Sequence, residues 1–250
     1  MATEFDLDKN KLFEIFREKG IENLYHANTI ATSISFLNEK SLLSRKFVLD
    51  NNLFQTDQYS DEKDKKFGIW DGIFLDAMDI HTVFNRRNKY GPVLFSFSTE
   101  LLKSDLVNSV RITRVNPVHW NSTQSEKDWY YSDLDEFKNN YKKGNKLKDV
   151  GSMLILNDIN GKLPLRPFFN KLILDNPNVS VNYNEHETYL SDIIAEKILE
   201  VLTKNKFEDI PKHLRHKNSL VNCICWSQYK NFNRGDLSEL KKLFHPNPVK

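Results

Sequence analysis

Three short apolar segments bounded by turn residues constrain the fold of this chain more than any other feature. The first is YGPVLFSFS, in which Pro92 precedes an apolar run. The second is SMLIL, which the turn sequence NDINGK follows, and the third is NKLILDNP, which ends in Asn-Pro. Apolar runs of this length between Gly, Pro and Asn residues are typical of buried strands. We predict that strands at 92–97, 153–156 and 171–174 belong to one mixed sheet.

The N-terminal part combines two predicted helices with a further strand. Apolar spacing over residues 6–19 predicts a helix that ends at Gly20. Residues 22–26 predict a strand, and a helix packed on the sheet is expected over 29–38, with an N-cap at its start. His26 therefore ends a strand at a strand-to-helix turn, which is where α/β proteins tend to build pockets.

The C-terminal part has the clearest helical signal. Residues 190–203 repeat apolar side chains every four positions, and Ser191 is the expected N-cap. Residues 50–66 are polar and turn-rich, which predicts a surface loop. A boundary near residue 184 would separate an α/β domain, residues 1–184, from a mainly helical extension, residues 185–250. The predicted fold class is α/β (α+β), with a mixed central sheet and flanking helices.

Charge and cysteine content exclude several classes of protein. The 250-residue chain has a formal net charge of +2, so no global field draws it onto nucleic acid. Its densest basic stretch, from Lys138 to Lys148, lies beside acidic residues, which favours a solvated surface. Two cysteines cannot form a disulfide framework. The acidic start of the chain and the absence of a long apolar run predict a cytoplasmic protein with no membrane partner.

One cluster of metal-ligand residue types lies in HLRHKNSLVNCIC. It brings His213, His216, Cys223 and Cys225 close together in sequence. In a strand, Cys-x-Cys alternation would point the two thiols to opposite faces. We therefore expect both cysteines to be buried structural residues without a metal.

A second cluster lies in DGIFLDAMDIH, which contains Asp71, Asp76, Asp79 and His81. Oxygen ligands of this kind hold the divalent cation of a nuclease against a phosphate. No Glu-x-Lys follows on a neighbouring strand, so the nuclease pattern is incomplete. A metal-dependent nuclease stays open as an alternative function. The P-loop, GxGxxG, GxSxG and HExxH motifs are absent from the sequence.

The segment FNRRNKYGP carries two adjacent arginines, Arg86 and Arg87, ahead of Tyr90 and a buried strand. The fork of a guanidinium binds two oxygens of a pyrophosphate or carboxylate at once. Two exposed basic residues in a loop would explain the same sequence without a ligand.

The segment LYHANTIATSISFLNEKSLLSR, the later VFNRRN and the strand pair after it together resemble the ADP-ribosyltransferase fold. The nearest likeness is to DarT-like enzymes, toxins that ADP-ribosylate DNA bases. The resemblance implies NAD⁺ as a substrate, with His26 at its nicotinamide-ribose end and Arg87 as the catalytic arginine. Arg87 would hold the pyrophosphate or steer the acceptor, Arg86 would also bind the cofactor, and Tyr25 and Tyr90 would stack beside the nicotinamide.

The resemblance covers residues 20–180 and implies a macromolecular acceptor, with DNA as a candidate. A toxin or defence context and an antitoxin or regulatory protein as partner are part of the same expectation.

One position departs from the family pattern. These transferases carry a glutamate on the strand that SMLILNDINGKLPL matches, where this chain has Ser152 or Met153. A carboxylate there stabilises an oxocarbenium-like transition state, and its loss commonly costs about 3 kcal/mol or more. Asp149, which lies just before the strand, is the expected replacement. Without a replacement, the chain would be a non-catalytic binding module that retains the cleft.

Overall fold

The computed structural model describes residues 3–83, 90–141, 152–183, 185–215 and 224–247. Its helices are α1 (Lys9–Glu18), α2 (Ile30–Asn38), α3 (Arg45–Asp50), α4 (Asp61–Lys66), α5 (Ile80–Val83), α6 (Glu126–Trp129), α7 (Leu134–Asn140), α8 (Leu190–Lys204), α9 (Cys225–Gly235) and α10 (Leu237–Phe244). Its strands are β1 (Asn23–Asn28), β2 (Ser41–Leu43), β3 (Ile73–Leu75), β4 (Val93–Ser98), β5 (Arg111–Ile112), β6 (Leu154–Leu156), β7 (Lys162–Pro164), β8 (Phe169–Asp175), β9 (Ser180–Tyr183), β10 (His186–Tyr189) and β11 (Lys212–Arg215). Short 3-10 helices lie at Thr99–Lys103 and Pro117–His119.

The central sheet has the strand order β1-β4-β8-β11. β4 pairs antiparallel with β1 and with β8, whereas β11 runs parallel to β8, so the sheet is mixed. β4 is buried along almost its whole length, including Phe95 and Phe97. A strand that is covered on both faces has a nearly continuous apolar sequence, which explains the apolar run in YGPVLFSFS.

A second sheet, of strand order β3-β6-β5, lies beside the first. The prediction of one sheet for all three apolar strands is therefore correct for β4 and β8, which pair directly, and wrong for the third. That strand, β6, pairs with β3 and β5 instead. Two smaller ladders, β2 with β7 and β9 with β10, complete the pairing among the described strands.

Helix α2 packs on the central sheet, as predicted. Thr29 is its N-cap, and the Thr29 hydroxyl accepts a hydrogen bond from the Thr32 backbone N–H. Phe36 is buried and its ring centroid lies 6.4 Å from that of Phe95 on β4. The same helix contacts α8 on its other side. α2 is therefore held between the sheet and the C-terminal part of the chain.

The C-terminal residues contribute to the central sheet as well as to the helical layer. Helix α8 spans Leu190–Lys204, close to the predicted 190–203, but its N-cap is Tyr189 rather than Ser191, which is buried inside the first turn. Strand β11 adds to the edge of the central sheet beside β8. The division at residue 184 stays a prediction. No helix in the described part of the chain is long and apolar enough to cross a membrane.

Candidate active site

A cleft opens where β1 and β3 diverge. The two strands meet at Tyr25 and Asp76, whose backbone groups exchange two N–H···O hydrogen bonds of 2.8 Å. Beyond this pair no further bridge joins β1 to β3 among the described residues. The space beside them is lined by residues of both strands, including His26, Asn28 and Phe74, and is partly open to solvent.

His26 lies in one wall of this cleft. Its Nδ1 lies 2.8 Å from the carbonyl oxygen of Phe74 on β3, and because a carbonyl only accepts, Nδ1 carries the proton. The unprotonated Nε2 faces the side-chain amide of Asn28, which donates to it at 3.2 Å. Burial lowers the pKa of His26, so the imidazole is neutral at pH 7. The ring packs 5.8 Å from Phe36. His26 therefore presents a fixed, neutral ring.

The turn after His26 is held by a close backbone approach. Gly91 has a φ of +138°, and a Cβ at this position would lie 2.2 Å from the carbonyl carbon of Asn28. Only glycine allows the chain entering β4 to pass so near the start of α2. Gly91 thus lets the chain pass directly against Asn28, which lines the cleft.

Tyr90, Asn116 and Met153 line another part of the same cleft. The Asn116 side-chain amide donates to the Tyr90 hydroxyl at 3.4 Å and lies 3.5 Å from the Met153 sulfur. Met153 thus brings a thioether into the cleft at the position where the resemblance calls for a glutamate. Ser152, the other residue considered for that position, is buried beside the Tyr131 hydroxyl instead.

Of the other predicted site residues, only Tyr25 belongs to the described part of the chain. Tyr25 alternates with His26 along β1 and is not part of the cleft lining. Burial, together with the Asp79 carboxylate, raises the pKa of the Tyr25 phenol. Arg86, Arg87 and Asp149 lie outside the described residues. The structure therefore brings His26 and Tyr90 together and does not place Tyr25 with them.

The segment before α4 supplies a wall that the sequence did not indicate. Gln55, Gln58 and Ser60 line the cleft, although residues 50–66 were expected to form a surface loop. The loop is fixed by buried threonine hydroxyls, because Thr56 bonds to the hydroxyls of α2 at its N-terminus. Polar composition alone does not distinguish a loop that borders a cavity from a loop on open surface.

Arg45, at the start of α3, brings a positive charge to the cleft lining. Its guanidinium is held by the Asp61 carboxylate and donates to the Thr56 carbonyl oxygen at 2.9 Å. The guanidinium also lies 5.7 Å from the centre of the Trp70 ring. These contacts fix the orientation of the cation.

Two carboxylates also line the cleft. Asp64 in α4 accepts a hydrogen bond from the Ser60 hydroxyl at 3.0 Å, and burial raises the pKa of Asp64 to about 6. Asp76 follows directly after β3, and burial, with the nearby Asp79 carboxylate, raises the pKa of Asp76 to about 7. Within the described part of the chain, no side chain or backbone N–H donates to the Asp76 carboxylate. Both acids are thus able to exchange protons near neutral pH.

A buried ion network lies behind Asp76. Arg215 in β11 pairs with Asp79 and, at 3.2 Å, with Asp175 at the end of β8. His81 Nδ1 lies 2.7 Å from the other oxygen of Asp175, which also accepts from the Tyr229 hydroxyl at 2.9 Å. Four separate elements, α5, β8, β11 and α9, therefore meet at one carboxylate.

This network engages two of the four residues of the nuclease alternative, Asp79 and His81. Asp79 and His81 pair with distant residues of the protein, and Asp71 is exposed and accepts from the Ser44 hydroxyl at 2.9 Å. Asp76 faces the cleft apart from them. Among the described residues, no group of three or more His, Cys, Asp or Glu side chains is arranged to hold a metal ion.

The described residues include only part of the His and Cys cluster at 213–225, which was expected to be structural. His213 is exposed in β11, and Cys225 is buried at the start of α9. Cys225 is thus buried as expected, in a helix rather than a strand. His216 and Cys223 lie outside the described residues.

Comparison with solved structures places this architecture in a known fold. The chain is similar to Thermus sp. 2.9 DarT in complex with ADP-ribosylated ssDNA, with a TM-score of 0.50 and 9% identity over 80% of this chain and 96% of that chain. The chain has the DarT fold. The complexes of Thermus sp. 2.9 DarT with carba-NAD⁺ and with NAD⁺ give TM-scores of 0.45 and 0.44, with 10% and 11% identity. Each covers 80% of this chain and 97% of that chain.

The likeness lies in the fold and not in the sequence. No protein-family model and no curated protein matches the chain. The predicted ADP-ribosyltransferase type of fold is confirmed. The prediction rested on short motifs, which the sequence comparisons did not detect.

Proposed function

We propose that this chain is an NAD⁺-dependent ADP-ribosyltransferase that modifies a macromolecule. The observation that carries the proposal is the cleft at the divergence of β1 and β3, in a chain with the DarT fold. The DarT structure that matches with a TM-score of 0.50 is in complex with ADP-ribosylated ssDNA, which favours DNA as the acceptor. A toxin or defence context, with an antitoxin or regulatory protein as partner in the cytoplasm, follows from the same likeness.

The composition of the cleft suits a dinucleotide. Phe36, Leu43 and Ile73 give it apolar walls, and the amides of Asn28 and Gln55 add fixed polar groups. Small-molecule and cofactor sites commonly combine apolar walls with a few oriented polar groups.

We assign roles to the residues that the sequence indicated. His26 holds the nicotinamide-ribose end through its fixed neutral ring, and Tyr90 stacks beside the nicotinamide. Arg86 and Arg87 bind the pyrophosphate or steer the acceptor. Asp149 supplies the carboxylate that stabilises the oxocarbenium-like transition state. Tyr25 supports β1 from its other face.

One observation favours a second function. Met153, one of the two residues that match the family's glutamate, carries no charge and lines the cleft. A thioether cannot stabilise developing positive charge as a carboxylate does. A binding module that takes NAD⁺ without turning it over is therefore the alternative.

The first experiment measures NAD⁺ binding by thermal shift and by calorimetry. A ligand that binds only the folded state stabilises it, by about 2.7 kcal/mol at a hundred times its Kd. We expect NAD⁺ to raise the Tm, and Mg²⁺ or Mn²⁺ to leave it unchanged. His26→Gln should weaken NAD⁺ binding, whereas His213→Gln, which changes an exposed histidine on β11, should not. Equal NAD⁺ responses in the two variants would contradict the assignment.

The second measurement decides between transferase and binding module. Nicotinamide release and label transfer from NAD⁺ are followed with single-stranded DNA, duplex DNA, RNA and protein as acceptors. Transfer by the natural chain supports the enzyme. Binding without turnover, together with activity gained by Met153→Glu, would establish the binding module instead.

A further inference from the structure

Asp76 stands at the point where the two sheets of the protein separate. Its backbone is fixed to β1 by the hydrogen bonds with Tyr25, and the preceding residues of β3 carry the carbonyl that orients His26. Asp76 is half-buried and lines the cleft. A side chain at the point where two strands separate is attached to a rigid backbone and can also reach a ligand in the cleft.

The surroundings of Asp76 leave its carboxylate available for a substrate. Asp64, the other acid of the cleft, accepts from Ser60, and the carboxylates of Asp79 and Asp175 are bound to Arg215. Asp76 receives no hydrogen bond from a protein group within the described ranges. A half-buried carboxylate without a protein donor has high affinity for a donor on a ligand, because burial otherwise leaves its lone pairs unsatisfied.

We propose that Asp76 is the general base of the transfer reaction, an inference that rests on the proposed function. As the bond from the nicotinamide nitrogen to the ribose anomeric carbon breaks, its electron pair goes to the ring nitrogen, and neutral nicotinamide leaves. A lone pair of the acceptor nitrogen or oxygen forms the new bond to the anomeric carbon. The proton that the acceptor loses passes to the Asp76 carboxylate. Asp149 keeps the separate role of stabilising the positive charge on the ribose.

The proton affinity of Asp76 suits this role. Burial and the Asp79 carboxylate raise the pKa of Asp76 to about 7, while the nearby His81 opposes the shift. Tyr90, whose own pKa is raised by burial, lies within electrostatic range on the other side. A general base works best when its pKa lies near the operating pH. A paired surface aspartate would be too weak a base for this step.

The test compares Asp76→Asn with two matched variants of the full-length chain. Asp71→Asn makes the same change in the same segment, at an exposed side chain outside the cleft lining. Asp64→Asn makes it at the other acid of the cleft. For each variant, calorimetry gives the Kd for NAD⁺, and single-turnover label transfer to DNA gives the rate as a function of pH.

We expect Asp76→Asn to lower the transfer rate by about 10²- to 10⁴-fold, with the Kd for NAD⁺ unchanged. In the natural chain the transfer rate should fall as the pH drops below about 7, because Asp76 becomes protonated there. In Asp76→Asn this acid limb of the pH–rate profile should be absent. Asp71→Asn should behave as the natural chain. If Asp76 had only a structural role, Asp76→Asn would keep the fall in transfer rate at acid pH.

Two results would overturn the inference while leaving the proposed function intact. One is transfer by Asp76→Asn at the natural rate with the same acid limb. The other is loss of the limb in Asp64→Asn with Asp76→Asn fully active, which would make Asp64 the base. If the natural chain neither binds nor consumes NAD⁺, the proposed function and this inference fail together.

Discussion

Replacing Arg215 by methionine removes the guanidinium that bridges two buried carboxylates, Asp79 and Asp175. Methionine keeps much of the length and volume of the side chain but carries no charge. The side chain of Arg215 is 3% exposed, and that of Asp175 is 1% exposed. Water therefore cannot replace the lost cation without opening the structure, so we expect a large loss of stability.

The size of the expected loss of stability follows from the burial of the ion pair. Removing one partner of a buried ion pair costs about 3 to 5 kcal/mol, because the remaining charge stays desolvated. His81 and the Tyr229 hydroxyl still contact Asp175 in the variant, which places the expected loss near the lower limit, about 3 kcal/mol. In a chain of this length that loss lowers the Tm by about 6 to 12 °C.

The matched control is Arg166→Met. Arg166 pairs with Asp209 at the surface, where the two side chains are 45% and 64% exposed. Exposed pairs of this kind contribute about 0 to 1 kcal/mol. Urea unfolding, followed by far-ultraviolet circular dichroism and by tryptophan fluorescence, gives the free energy of unfolding of each variant. A loss in Arg215→Met no larger than that in Arg166→Met would refute the reasoning.

A double-mutant cycle separates the pair energy from general damage. Asp79→Asn removes one of the carboxylates that Arg215 neutralises. If the guanidinium acts through this pair, Asp79→Asn should cost less in the Arg215→Met background than in the natural chain, by about 0.5 to 3 kcal/mol. Strict additivity would mean that Arg215 stabilises the fold through Asp175 or through packing and not through Asp79.

Two further predictions concern His81 and Gly91. Burial alone would lower the pKa of His81, but the adjacent Asp175 carboxylate outweighs it and raises the pKa above 6.5. The difference in unfolding free energy between the natural chain and His81→Gln should therefore be largest below about pH 6.5 and should shrink as the pH rises through the pKa of His81 in the folded state. Urea titrations in which this difference grows with pH would contradict the prediction. Gly91→Ala should cost about 2 to 5 kcal/mol and weaken NAD⁺ binding, because the added Cβ would meet the Asn28 backbone. Gly235→Ala, which meets nothing within 4 Å, should leave both thermal stability and calorimetric binding nearly unchanged or slightly improved.

The elements that the sequence predicted well are those with a local signal. Helices α2 and α8 lie within two residues of their predicted bounds, because apolar spacing and the Thr29 cap define them. Strands β4 and β8 were found because both are buried apolar runs between turn residues. These features depend on neighbours in the chain, which a single sequence displays directly.

Strand partners were harder to predict because pairing is a long-range property. The sequence of β6 is as apolar as that of β4, yet β6 pairs with β3 and β5. An apolar run indicates burial but does not indicate which strand lies beside it. The divergence of β1 from β3, which creates the cleft, therefore had no signature in the sequence.

The same limit explains which site residues were found. His26 was predicted from its position at a turn and Tyr90 from the family resemblance, and both line the cleft. Asp79 and His81 were considered as metal ligands of an alternative nuclease because carboxylate and imidazole side chains lie close together in the sequence. Their partners, Asp175 and Arg215, lie in remote parts of the chain, so their use in an ion network was not visible.

The ion network and the proposed base belong to one arrangement of charge. Arg215 and His81 are each engaged with another carboxylate, and neither bonds to Asp76. What reaches Asp76 from the network is mainly the repulsion of Asp79, which adds to the effect of burial and favours the protonated acid. His81 and Arg215 hold the pKa of Asp175 below its usual value despite its burial, whereas the pKa of Asp76 lies at about 7. A chain whose cleft carries methionine where a glutamate was expected thus still contains a carboxyl group suited to proton transfer.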